Sequence, residues 1–321
     1  MPAVIAHKQM AMRVWTRLKQ MDISRGNLDA FLLGAQGPDL FFFHRILPWE
    51  RGISYVHEGV RMHKMSPARL FAGFRDRMLE AEGKERAIMR GYVQGFFCHY
   101  ALDRTAHPFV GYWQQVLRQE RPAYGKADHT YHFCIESALD TWILRRETGR
   151  LPRDFPLLKV LPGDDPAVDR AIGQLYAPLF SRWFGVEARP EHLAKAPQDM
   201  RQILWLITDR AGWRRQALRP VEWVSRRGHF ASCLLRPQTV EDWDYANEAH
   251  RPWHNLDDPS LVSTDGFWEL METATAEAAE MIAGFDQALA HRRSLLEITG
   301  DRGFASNLPG VYPDRPGGTT G

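Results

Sequence analysis

Cysteine is scarce: the chain holds three in 321 residues, Cys98, Cys134 and Cys233. An odd number at wide spacing argues against a disulfide framework, and no two stand close enough for a zinc ribbon. Long apolar runs are also missing. No stretch approaches the roughly 20 residues that a membrane span needs. The opening MPAVIAHKQMAMRVW lacks an apolar core and a small-residue cleavage site, so no secretory signal is read and a soluble, cytoplasmic protein is expected. Charge of one sign does not dominate. The 41 basic and 39 acidic residues leave a net +2, and Arg214–Arg215 and Arg226–Arg227 are only short pairs. Nothing in that pattern demands a stable nucleic-acid partner. The chain has no Gly-rich phosphate loop of the P-loop type, no Gly-x-Ser-x-Gly elbow and no His-Glu-x-x-His. P-loop, serine-hydrolase and zincin chemistry are thereby set aside.

Strand-type alternation is nearly absent, apart from possible short pieces near 219–235. Helical periodicity runs through most of the rest. Val4, Ile5, Met10, Met12, Val14, Trp15 and Leu18 form a stripe over 3–20. NLDAFLL reads as a short helix closed by Gly34. Ser66–Pro67 starts a further helix, with serine as cap and proline in the first turn, and Gly83 ends it. Next comes a helix over about 85–106, which Pro108 is expected to end. Another covers 129–147, capped by Asp128 and closed by Gly149. Others fall at about 167–185, 190–195, 198–217, 238–248 and 266–291. Residues 44–65 and 150–166 read as irregular. The expectation is an all-α bundle, one domain over 1–299, with an irregular tail over 300–321. The 11 Trp and 17 Phe imply aromatic-rich packing or a greasy cleft.

The stretch GYVQGFFCHYALDRTAH, Gly91–His107, carries the first chemical signal. His99, Asp103 and His107 follow one another at intervals of four. On a helix they fall within roughly 80° of one another. Phe96 and Tyr100 share that sector, so the ionisable groups lie on the apolar face. A carboxylate there is costly unless something positive meets it, and two imidazoles make a metal ion the economical partner. His99 and His107 start about 12 Å apart along the axis, too far for one ion. Two or more metals along one helix follow, with Asp103 placed to touch both. The plainer reading is a buried His–Asp pair and a helix-end histidine.

A second helix repeats the pattern. His132 and Glu136 are four apart, on the face of Leu139 and Ile143, and His129 is about 60° away. Two such helices facing one another would build a polynuclear site. Asp39 emerges from the Gly37–Pro38 break into Leu40, Phe41, Phe42 and Phe43. It is either buried in the site or a cap for the next helix. With His and Asp/Glu as donors, zinc is the first expectation, and manganese or iron also suit them.

Three segments carry a resemblance: GAQGPDLFFF, GFFCHYALDRTAHPFV and HFCIESALD. Together, in that order over residues 1–143, they resemble the zinc-dependent phospholipase C family, all-α proteins that share a fold with zinc-dependent single-strand nucleases. DYANEAHRPW and the Ala-rich last helix look like that family's C-terminal part, and the resemblance is not carried over 150–235. The resemblance implies two to three zinc ions. Asp39, His63, His99 and Asp103 would hold the first. His107, His132 and Glu136 would hold the second. His7 and Asp103 would hold the third. His57 stands as an alternative to His63, and His129 to His132. Secreted members complete the third site with an N-terminal tryptophan. This chain opens Met-Pro-Ala, so a third site that is weak, differently ligated or absent is expected.

The function implied is zinc-assisted hydrolysis of a phosphodiester, with Asp39 orienting or deprotonating the attacking water. A phospholipid or another phosphodiester is the expected substrate, reached by peripheral membrane contact. The rivals are a nuclease or nucleotide phosphoesterase on the same fold, and a non-catalytic metal-binding helical protein.

Overall fold

The computed structural model describes residues 3–23, 25–47, 49–122, 128–209, 211–225, 235–237, 243–291 and 294–313. Among these the chain is all-α. Its helices are α1 (Val4–Gln20), α2 (Leu28–Gly34), α3 (Val56–Met62), α4 (Pro67–Glu80), α5 (Gly83–Glu120), α6 (Asp128–Thr148), α7 (Pro166–Phe184), α8 (Pro190–Leu193), α9 (Lys195–Leu206), α10 (Trp213–Ser225), α11 (Phe267–His291) and α12 (Leu295–Thr299). Short 3-10 turns add Gly37–Phe43, Pro152–Asp154 and Leu157–Val160. Two-residue strands β1 (Trp253–His254) and β2 (Val262–Ser263) pair antiparallel.

α5 is the axis of the molecule. Its 38 residues extend about 57 Å at about 1.5 Å per residue. Every residue from Gly91 to Ala106 is buried, because α1, α2, α4, α6, α7 and α11 surround the helix. A helix in that position must be apolar all round, and VQGFFCHYAL is nearly so. α2 lies on it backbone to backbone. A Cβ at Gly34 would fall 1.9 Å from Tyr92 O, and one at Gly95 would fall 2.0 Å from Phe31 O. Aromatic rings fill the other sides, with Phe71 stacked on Phe97 at 3.7 Å and Phe74 edge-on to Phe96 at 5.1 Å.

α5 departs most from the sequence reading, because it does not stop at Pro108. It continues to Glu120 with the proline inside it. A mid-helix proline costs about 3 kcal/mol, and burial of Phe109, Val110, Trp113 and Leu117 beyond it opposes that cost at about 1.5–3 kcal/mol per large side chain. Other differences are local. Val56–Met62, read as irregular, is helical. The helix expected over 198–217 is two helices, α9 and α10, broken where Gly212 takes φ 73°. Residues 213–225, read as possible strand from 219, are helical as well, and 226–234 lie outside the described residues. The helix expected over 238–248 is turn from 243 onward, with Asn247 and His250 at positive φ.

Two expectations need correction at the ends and at the thiols. Residues 300–313 are irregular, as read, but built into the core. Tyr100 Oη donates to Arg302 O at 2.7 Å, Asn255 Nδ2 to Ser306 O at 2.7 Å, and Ser66 Oγ to Asp301 Oδ1 at 2.7 Å. Phe304 is buried. Residues 314–321 lie outside the described residues. Cys98 is free and buried, as its helix position implied, but Cys134 is disulfide-bonded. Among the described residues no helix is long and apolar enough to cross a membrane.

Candidate metal centre

Five elements bring eight side chains together. α1 supplies His7 and the turn Gly37–Phe43 supplies Asp39. His63 follows directly on α3. α5 carries His99, Asp103 and His107, and α6 carries His132 and Glu136. Their donor atoms form three groups, each within 4.8 Å: His7, His99 and Asp103; Asp39, His63 and His99; and His107, His132 and Glu136. All eight residues singled out in the sequence are in these groups. His57 is not, since its side chain is 77% exposed. The His129 side chain lies outside the described residues.

Asp103 is the hub, as its central position on the helix implied. Oδ2 lies 3.1 Å from His99 Nε2, 3.6 Å from His63 Nε2 and 3.8 Å from His107 Nδ1. Oδ1 lies 3.3 Å from His7 Nε2. One carboxylate therefore faces imidazoles of all three groups. Asp39 Oδ1 approaches His63 Nε2 at 3.2 Å, and His63 Nε2 stands 3.4 Å from His99 Nε2. On α6, Glu136 Oε1 lies 3.2 Å from His132 Nε2 and 3.9 Å from His107 Nε2.

Local structure explains how Asp39 reaches the centre. Gly37 takes φ +54°, and a Cβ there would fall 2.3 Å from the His99 ring. Only glycine lets this backbone lie on the imidazole and still turn. Pro38 then opens the 3-10 turn, whose first turn directs Asp39 inward. The residue does not cap the following helix.

Three imidazoles have their second nitrogen fixed by an oxygen. His63 Nδ1 bonds Gly59 O at 3.0 Å, His107 Nδ1 bonds Phe304 O at 3.1 Å, and His132 Nδ1 bonds Gln114 Oε1 at 3.1 Å. With the proton on Nδ1, each Nε2 presents a lone pair to the centre. This is how metal-ligating histidines are oriented. His7 and His99 stack at 4.4 Å, and Nδ1 of each is buried without a partner.

The electrostatics agree. Burial alone would raise the Asp103 carboxyl, but the charges of His99 and His107 and the His7 bond hold it well below the usual range. Asp39 and Glu136 likewise stay low against their burial, Asp39 through His63 and His99, and Glu136 with help from His132 and His107. Burial lowers His99 and His107 and prevails over Asp103. For His7 and His63 burial is outweighed by Asp103 and Asp39 respectively, so both are raised. Three carboxylates held in their ionised form thus lie around two imidazoles, His99 and His107, whose protonation burial disfavours. Nitrogen and carboxylate oxygen donors without thiolate suit zinc, and also manganese or iron. The residues fit a polynuclear cation site.

Three contributors escaped the sequence reading. Gln114 follows His107 by seven residues, on the same face of α5, but the supposed stop at Pro108 hid it. Phe304 reaches the centre from a segment read as tail. Asp140 lies one turn beyond Glu136 on α6. Its Oδ1 accepts from Ile5 N at 3.0 Å and Ala6 N at 2.9 Å, while Arg236 Nη2 meets Oδ2 at 2.8 Å. That carboxylate anchors the first turn of α1, and with it His7. A carboxylate at a helix start is favoured by the unpaired N–H groups there, and the Glu136–Asp140 spacing of four was the available signal. No protein-family model matches the chain, and neither a curated protein nor a solved structure does so.

Proposed function

We propose that the protein is a zinc-dependent phosphodiester hydrolase of the phospholipase C type. The observation carrying this reading is the continuity of the three donor groups through Asp103. Isolated His–carboxylate pairs are common structural devices. Two groups that share His99, with Asp103 also near His63 at 3.6 Å and beside the third group's His107 at 3.8 Å, are what a polynuclear hydrolytic centre needs. The inner members His99 and Asp103 are 0% and 8% exposed, while His63, His107 and His132 are 18%, 22% and 23% exposed. The centre therefore opens to solvent along its outer edge.

Asp39, His63, His99 and Asp103 would hold one ion, His107, His132 and Glu136 a second, and His7 with Asp103 a third. Bound zinc supplies neutralisation of phosphate charge and a lowered pKa for a coordinated water. The chain's own groups do the rest. Asp39 stays ionised and accepts a hydrogen bond, which orients a water beside the phosphate. Phe42, half-buried and stacked on His63 at 5.3 Å, walls the open edge with an apolar face. That wall suits a substrate with a greasy portion, and a phospholipid is the substrate class we favour.

The test uses protein purified without chelator and supplied with zinc. Its metal content is measured, and bis-p-nitrophenyl phosphate, phosphatidylcholine and single-stranded DNA are offered with and without chelator. Chelator-sensitive hydrolysis of the first two supports the reading. Cleavage of DNA without lipid moves the assignment to a nuclease. Fewer than two ions per chain and no chelator-sensitive hydrolysis would leave a metal-stabilised scaffold.

A further inference from the structure

The chain between the Asp39 turn and α3 has a braced base and an apolar tip. His44 and Tyr55 close the base, both fully buried, with rings stacked at 5.0 Å. Tyr55 N donates to His44 Nδ1 at 3.2 Å, Ser54 Oγ donates to His44 O at 2.7 Å, and His44 Nε2 bonds His192 O at 3.0 Å. α9 holds the side of the loop. Arg45 N donates to Asp199 Oδ2 at 3.0 Å, and Lys195 Nζ donates to Glu50 Oε2 at 2.9 Å. Between these braces Ile46, Trp49 and Ile53 are 47%, 62% and 57% exposed.

One exposed apolar side chain needs no explanation. Three on a single braced loop are different, since the bracing prevents the tip from folding back to cover them. The exposed charged side chains that flank them in the chain, over residues 45–64, are of one sign. Glu50 is neutralised by Lys195, and Glu58 is buried. Arg51 and Lys64 remain exposed, and Arg45 and Arg61 are half-buried. Tryptophan with isoleucines and flanking cations is the make-up of an interfacial anchor. The indole suits the head-group layer, aliphatic side chains enter the acyl boundary, and cations meet lipid phosphates. Position adds to composition: the two ends of this loop deliver Asp39 and His63 to the same donor group.

We propose that the loop spanning Arg45 to Ser54 docks the protein on an anionic phospholipid surface and so presents the Asp39–His63 edge of the centre to lipid head groups. Docking stands on the loop itself; presentation of head groups rests on the hydrolase reading above.

The experiment compares the wild type with a triple variant, Ile46→Ser, Trp49→Ala and Ile53→Ser. Leu296→Ser serves as control, removing a side chain 56% exposed on α12. Each full-length protein is sedimented with vesicles of equimolar phosphatidylglycerol and phosphatidylcholine at low salt, and separately assayed on bis-p-nitrophenyl phosphate in free solution. The wild type and the control are expected to partition onto vesicles, and the triple variant at least about tenfold less. Far-ultraviolet circular dichroism and any hydrolysis of the soluble ester are expected to be the same for all three. Equal partition of wild type and triple variant overturns the proposal. So does an equal loss in Leu296→Ser, or a wild type that never sediments with vesicles. A wild type that forms dimers, with a monomeric triple variant and no vesicle binding by either, also overturns it in favour of self-association. Vesicle binding without any ester hydrolysis would keep the docking loop and discard the hydrolase reading.

Discussion

Asp103→Asn removes one negative charge and almost no volume. Its two oxygens lie 3.1–3.8 Å from the imidazoles of His99, His7, His63 and His107. A unit charge about 4 Å from a positive charge is worth about 4 kcal/mol at an effective dielectric of about 20. That is roughly a thousandfold in affinity for each ion held beside it. Elemental analysis after dialysis, with chelator competition to rank affinities, reads the change. The expected result is loss of metal from more than one group. Melting curves with and without chelator then separate the causes. If Asp103 serves cations, wild type and variant differ strongly with zinc and little once both are stripped. The reasoning is refuted if the variant keeps its full metal content, or if its stability deficit is the same in both conditions. That second pattern belongs to an ordinary buried His–Asp bond.

Three other perturbations follow from particular contacts. Gly37→Ala puts a methyl 2.3 Å from the His99 ring at φ +54°, so a stability loss of about 1–3 kcal/mol is expected in urea melts, together with weaker zinc retention. Asp140→Ala removes the one oxygen that accepts from both Ile5 N and Ala6 N and the carboxylate that pairs with Arg236; about 3–5 kcal/mol of destabilisation is expected by denaturant titration, with weaker zinc retention at the His7 group. His44, with both ring nitrogens committed to Tyr55 N and His192 O, is lowered by burial from 6.5 to about 4. Between those values the unfolded chain binds more protons than the folded one, so stability rises with pH across that window. In metal-stripped protein about 3 kcal/mol should disappear as pH falls from 7 to 4, and His44→Gln should flatten that part of the profile.

Five of the eight donor residues were legible because helix periodicity is a strong geometric rule, whereas His7 and His63 came only with the family resemblance. Residues four apart share a face, so His99–Asp103–His107 and His132–Glu136 announce themselves. Asp39 was legible because Gly-Pro next to an aromatic run leaves few places for a carboxylate. The rest required tertiary information. Choosing His63 over His57 depends on how α3 sits against the Asp39 turn, which no local rule specifies. Gln114 was lost to an over-strict reading of Pro108, where burial along α5 prevails over proline's local cost. Phe304 and Asp301 come from a glycine- and proline-rich segment that looks like tail, and their placement arises from contacts with α4 and α5 far away in sequence. The disulfide at Cys134 was hidden because spacing of three cysteines says nothing of which side chains meet.

The most direct measurement is an anomalous-scattering map from crystals grown with zinc and without chelator, recorded on both sides of the zinc absorption edge. Peaks are expected between Asp39, His63 and His99, and between His107, His132 and Glu136, with Asp103 within bonding distance of at least one. A map without peaks, in which these imidazoles and carboxylates keep only one another as partners, would contradict the claim that they are gathered to hold cations.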